Sequence, residues 1–149
     1  MTKKQIAAFT KYGGRTLAGG GWIATPFATI RLFDPSIKAE PLTKEQRGNI
    51  REWSSAAVRS SVRVTIGPEP GHIMGGPAGL SYPVSGLKPT GFLKGVQMGL
   101  HPVFVDIIKT QEPDRIVSVR VQKHVRAVAT VKDGKCVGIF MPTRGPIAS

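Results

Sequence analysis

The chain has 149 residues, enough for one domain with one hydrophobic core, and it carries 21 Lys and Arg against 9 Asp and Glu, a formal net charge of +12. A field of that sign draws polyanions such as nucleic acid, an anionic membrane or an acidic protein and says nothing about fold. One cysteine, Cys136, excludes an internal disulfide and with it a disulfide-stapled secreted design.

The opening residues carry a four-residue apolar run after Lys3 and Lys4, too short for a signal-peptide core. No stretch approaches the 18 or so apolar residues of a membrane span. The expected location is therefore the cytoplasm or the interior of a virus particle. Thr2 and Gln5 have the spacing of a capping box, with Ile6 and Phe9 following at helical spacing, which predicts a first helix over residues 3–12. Five of the nine residues from Gly13 to Gly21 are glycine. They end the helix and leave residues 1–21 as a helix with a glycine-rich arm, either mobile or lying against another chain. The pattern Gly19-x-Gly21-x-x-Ala24 does not make a dinucleotide site, because that fold needs a helix after the glycines and Pro26 blocks one. No cofactor is expected.

From Trp22 to Phe33, Ala28, Ile30 and Leu32 share one parity and Thr29 and Arg31 the other, which predicts a strand ending at Asp34-Pro35. A second capping box, Thr43 with Gln46, opens a helix over residues 44–60, where Ile50, Trp53 and Ala57 form the apolar stripe and Lys44, Arg47 and Arg51 lie outside it. Residues 61–67 then read as a strand with Val62, Val64 and Ile66 on one face.

Residues 67–99 hold nine glycines and five prolines without sustained periodicity, and are expected as a long irregular insertion. Ile73, Met74, Leu80, Tyr82, Val84, Leu87, Phe92, Leu93 and Met98 make the segment too hydrophobic for disorder, so it is expected to pack on this chain's own sheet or on a neighbouring subunit.

Pro102–Lys109 reads as a strand and residues 111–114 as a turn. After it the odd positions Val117, Val119, Val121, Val125, Ala127, Ala129 and Val131 are apolar, apart from Lys123, and Ser118, Arg120, Gln122, His124 and Arg126 are polar or basic, so one face packs and the other meets water or a ligand. An unbroken strand from Arg115 to Val131 would run to about 56 Å, which predicts a bulge or bend near Lys123. Asp133-Gly134 is a two-residue hairpin turn. It sets Lys132 opposite Lys135, Val131 opposite Cys136 and Ala129 opposite Gly138, and buries Cys136 and Phe140 with the odd row while Val137, Ile139 and Met141 face the other way.

The fold class is thus α+β: a single domain over 1–149, mainly antiparallel sheet, with helices at 3–12 and 44–60 and the insertion 67–99. Arg120, His124 and Arg126, spaced two apart, suit phosphate contacts along one strand face. Lys132, Lys135, Arg47 and Arg51 extend the candidate nucleic-acid-binding set. The same alternation is also the ordinary pattern of a solvated sheet face. His72, His101, His124 and Cys136 lack the close pairing of metal ligands, so no metal is expected. Cys136, turned inward by the hairpin, is expected as a core residue. His124 with Lys123, Arg126 and Asp106 admits an RNA-cleaving site that nothing in the spacing demands.

The leading expectation is a non-enzymatic structural subunit of a large oligomeric nucleoprotein assembly, of the virus- or phage-particle type. Its partners would be other copies of itself, other assembly subunits or nucleic acid. A monomeric, sequence-nonspecific nucleic-acid-binding protein comes second and a small ribonuclease third.

Overall fold

A computed structural model describes residues 2–31, 38–67, 79–83, 96–122 and 125–146. In chain order these form helix α1 (Lys3–Gly13), strands β1 (Leu17–Gly19), β2 (Trp22–Thr25), β3 (Ala28–Arg31) and β4 (Glu40–Pro41), and helix α2 (Lys44–Arg59). Strands β5 (Arg63–Gly67), β6 (Gly79–Pro83) and β7 (Val96–Gly99) follow, then helix α3 (Pro102–Gln111). Strands β8 (Arg115–Gln122), β9 (Val125–Lys132), β10 (Lys135–Phe140) and β11 (Thr143–Pro146) complete the described chain. Nine strands make one sheet in the order β4-β1-β2-β3-β10-β9-β8-β5-β6, and β7 with β11 makes a two-stranded ribbon. Pairing in the large sheet is antiparallel except for β1 with β4 and β5 with β6, so the fold is α+β with a mostly antiparallel sheet.

Both capping boxes form. The Thr2 and Thr43 hydroxyls accept from the backbone N–H of Gln5 and Gln46, each at 3.1 Å, and the glutamine side chains accept in turn from the backbone N–H of the two threonines. Of the insertion 67–99, the described residues include Gly67 at the end of β5 and contribute β6 and β7. The expectation for Ile73, Met74, Val84, Leu87, Phe92 and Leu93 falls outside the described residues.

Several local expectations are corrected. Pro102–Lys109 is helix, not strand. His101 caps it, its Nδ1 accepting from Val103 N–H at 3.2 Å, and Pro102 occupies the first turn, where its missing N–H costs nothing. Phe104, Ile107 and Ile108 then recur at three and four and are buried. The span expected as one strand from Trp22 to Phe33 is not one over its described residues 22–31: Pro26 and Phe27 turn it, and β2 and β3 pair antiparallel, Trp22 opposite Arg31. The glycine-rich segment is built into the sheet, where Gly20 and Gly21, with φ of 60° and 85°, link β1 to β2 in the two-residue turn that needs positive φ twice. The span 115–131 is two strands and not one, β8 paired antiparallel with β9, and the irregularity expected near Lys123 is present as a register shift between Arg120 and Gln122.

The Asp133-Gly134 turn forms, with φ of 52° and 75°, and sets Lys132 opposite Lys135 and Val131 opposite Cys136 as expected. Beyond Cys136 a bulge intervenes, so Gly138 opposes Thr130, Ile139 opposes Ala129 and Phe140 opposes Val128. One inserted residue reverses parity. Ile139 joins Val117, Val119, Ala127, Ala129, Val131 and Cys136 under α2, where Ala57 and Trp53 cover them, and Met141 packs on the same cluster. Phe140 crosses to the other side, with Val128, Ile30 and Ile23, under α1 and α3. There Phe104 contacts Phe9 and Phe140 at centroid distances of 6.3 and 5.3 Å. All three rings are fully buried, each worth about 1.5–3 kcal/mol relative to exposure. The sheet is therefore covered on both faces, and Ser118 and Thr130, on the even row that alternation assigns to water, are buried as well.

Candidate nucleic-acid interface

Coverage on both faces leaves charged side chains the strand ends and sheet edges. Arg120 and Arg126 are direct cross-strand partners at the far end of the β8–β9 hairpin. Like charges so placed repel. Beside them β5 meets β8 through one residue pair, Arg63 with Val117, together with the bond from Ser118 N–H to the Val62 carbonyl at 2.8 Å. A groove of about 320 Å³ opens there, lined by Ala56, Arg59, Ser60, Ser61, Val62, Ser118, Val119, Arg120 and Arg126. No carboxylate is among these residues.

The guanidinium of Arg126 is held in place: Nε donates to Ser118 Oγ at 2.7 Å and Nη2 to the Ser118 carbonyl at 3.3 Å. A guanidinium has five N–H groups, so others are left for a further acceptor. Ser60 Oγ donates to the same carbonyl at 2.7 Å, tying the end of α2 to β8. That helix end carries partial negative charge that would repel an anion. Arg115 opposes it by donating to the carbonyls of Ser60, at 3.3 Å, and Val58.

A second depression, a cleft of about 440 Å³, lies next along the same helix. Its floor and walls come from Leu17, Ala24, Ala28, Thr29, Leu42, Ile50, Trp53, Val121, Ile139 and Met141, and Arg15, Gln46, Asn49 and Gln122 supply polar groups. Phe27, 44% exposed at the β2–β3 turn, also lines it. Arg15 is engaged with Glu40 at 2.6 Å, the one ion pair among the described residues.

The sequence-derived set does not converge on one site. Arg120 and Arg126 come together; His124, between them in sequence, lies outside the described residues. Lys132 and Lys135 face each other across the β9–β10 turn, at the other end of β9, about 20 Å from Arg126 by strand rise. Lys132 also has a structural task, since its Nζ donates to the Gln111 carbonyl at 3.0 Å and caps α3. Arg47 and Arg51 lie on α2, where Arg51 is exposed and Arg47 is exposed as well. Two arginines outside the expected set bear on the groove: Arg59 lines it, and Arg115 holds the helix end that forms its wall. The signal for Arg59 in the sequence is its place in the last helical turn, just before Ser60-Ser61.

Cys136 is buried as expected. Burial pushes its thiol above the ordinary range, against opposing bonds to the Gly138 carbonyl and Ser54 and the charge of Arg31. Arg31 stacks 4.3 Å over the Trp22 ring and donates to the Cys136 carbonyl at 3.1 Å. Among the described residues no three potential metal ligands converge, and no helix is long and apolar enough to cross a membrane. Compared with known protein families, curated proteins and solved structures, the chain matches none.

Proposed function

We propose that this chain is a non-catalytic structural subunit of a nucleoprotein assembly, of the virus- or phage-particle type, that holds nucleic-acid backbone in the groove at the end of β8 and β9. The observation that carries the reading is the apposition of Arg120 and Arg126 in a groove that also holds Arg59 and, among the described residues that line it, no carboxylate. Such a cluster is electrostatically unfavourable by itself and becomes favourable when a phosphate lies between the cations. Guanidinium groups stay protonated throughout the physiological range, so they suit binding phosphate and do not suit shuttling protons. The overall charge of +12 extends the attraction beyond the groove. The assembly part of the reading rests on the hydrophobic content of residues 67–99. Such a subunit would work in the cytoplasm or within the particle.

Two measurements test this. Protein purified with and without nuclease is sized, and its absorbance ratio at 260 and 280 nm recorded. Multimers that carry nucleic acid are expected, and a monomer free of nucleic acid at every salt concentration refutes the proposal. Binding to a mixed-sequence oligonucleotide is then followed against salt. Arg120→Ala/Arg126→Ala should flatten the log–log slope by about 1–2, one unit or slightly less for each phosphate no longer neutralised. An unchanged slope removes the groove from the interface.

A further inference from the structure

The arginine groove and the apolar cleft are both bordered by α2 and β8. Helix α2 supplies Trp53 to the cleft and Ala56, one turn on, to the groove. Strand β8 supplies Val121 and Gln122 to the cleft and Val119 and Arg120 to the groove. The two depressions thus lie side by side along α2 and β8, one cationic and the other mainly apolar, with no lining residue in common. From Arg120 to Gln122 is about 7 Å along the strand.

A duplex presents phosphates outward and keeps its bases paired and stacked, so it satisfies the arginines and leaves the cleft unused. A single strand presents both at once. We infer that the polymer held here is single-stranded nucleic acid, with its phosphates on Arg120 and Arg126 and an unpaired base in the cleft beside Phe27 and Trp53. The inference rests on the groove's being a phosphate site and adds the state of the polymer. The cleft's chemistry fits a base: aromatic and aliphatic surface for the ring faces from Phe27, Trp53, Val121 and Met141, and for its edge the amides of Asn49 and Gln122 as donors and acceptors, with Gln46, whose oxygen is held in the capping box, adding its amide N–H groups as donors. An aliphatic ligand would make no use of those amides, and a peptide would not present the phosphates that the arginines select.

The test compares, by fluorescence anisotropy, oligonucleotides of one length in four forms: single-stranded RNA, single-stranded DNA, duplex, and a single strand with abasic sites. The abasic strand keeps every phosphate and loses the bases, so it needs no change to the protein. Wild type should bind RNA or DNA single strands about ten-fold more tightly than the duplex or the abasic strand. Phe27→Ala, at an exposed turn position and checked by circular dichroism, should lose that preference while keeping its affinity for the abasic strand. Equal binding of intact and abasic strands by wild type, or a duplex bound as tightly as a single strand, overturns the inference and leaves the phosphate groove standing. Binding that ignores both salt and Arg120→Ala/Arg126→Ala overturns the groove and this inference together.

Discussion

Gly138 follows the bulge in β10, and a methyl group there tests the placement of the whole strand. A Cβ built on Gly138 would stand 2.6 and 2.9 Å from Cε2 and Cζ of Phe140 and 2.8 Å from Oγ1 of Thr130. None of these atoms has room to give. The Phe140 ring is fully buried against Phe104, and the Thr130 hydroxyl, also buried, donates to Gln111 Oε1 at 2.8 Å. Overpacking of this kind costs about 1–3 kcal/mol. Against it stands a gain of about 0.4–1 kcal/mol from restricting the unfolded chain. Gly138→Ala is therefore expected to destabilise by about 1.5 kcal/mol, a fall of about 3–6 °C in Tm for a chain of 149 residues. Gly48→Ala is the matched control, since its Cβ would meet nothing within 4 Å in the interior of α2. It should stabilise by about 1 kcal/mol. Calorimetry and urea titration read both, with the urea midpoint moving at constant slope. A Gly138→Ala protein as stable as wild type would refute the bulge, because without it residue 138 would not face Thr130 and the Phe140 ring.

His101 caps α3 through an unprotonated Nδ1, and burial holds its pKa below the usual imidazole value of 6.5. The folded state thus binds its proton less readily than the unfolded chain. The stability it contributes is complete above about pH 6.5 and is lost as pH falls below it. Urea midpoints between about pH 7.5 and 5.5 should fall more steeply for wild type than for His101→Asn, which keeps a capping oxygen and does not titrate; parallel curves would contradict this. The Cys136 thiol, buried and raised in pKa, should resist an aromatic disulfide reagent by about 10³-fold relative to the urea-unfolded chain, and prompt native labelling would place it at the surface. Gly134→Ala should cost about 1 kcal/mol because Ala is forced to a φ of 75°, whereas Asp133→Asn should be close to neutral; equal thermal shifts would show that the turn is not of this type.

Features set by local chemistry are legible in the sequence. Two capping boxes, the Asp133-Gly134 turn and the odd apolar row each act within a few residues, and they locate α1, α2 and the β9–β10 hairpin. The segments that differ from expectation have competing local readings. Pro102-Val-Phe-Val-Asp-Ile-Ile looks β-rich by composition, yet Pro at the first helical turn and apolar residues at 104, 107 and 108 are equally a helix start, and burial of Phe104 against Phe9 and Phe140 decides it. The run 19–21 has the composition of a breaker, and its last two glycines form a hairpin turn. The bulge after Cys136 leaves no compositional mark, since Val137 is as suited to regular strand as its neighbours, and only the partner strand shows that Ile139 and Phe140 have exchanged sides.

The same reasoning explains why the basic stripe divides. Alternation in sequence separates a packed face from a wet one only when one face is open, but helices cover both faces of this sheet, so even-numbered Ser118, Val128 and Thr130 are buried alongside the odd row. Basic residues in such a sheet have two outlets. Lys132 and Lys135 leave at the tight turn, where Lys132 is drawn into capping α3. Arg120 and Arg126 leave at the other end of β9, where the connection from α2 to β5 approaches β8 and the end of α2 contributes Arg59. Of these two outlets, the second combines like charges in apposition, an oriented guanidinium and adjoining apolar space. Position along the strands, rather than parity across them, determines where the basic side chains of this sheet gather.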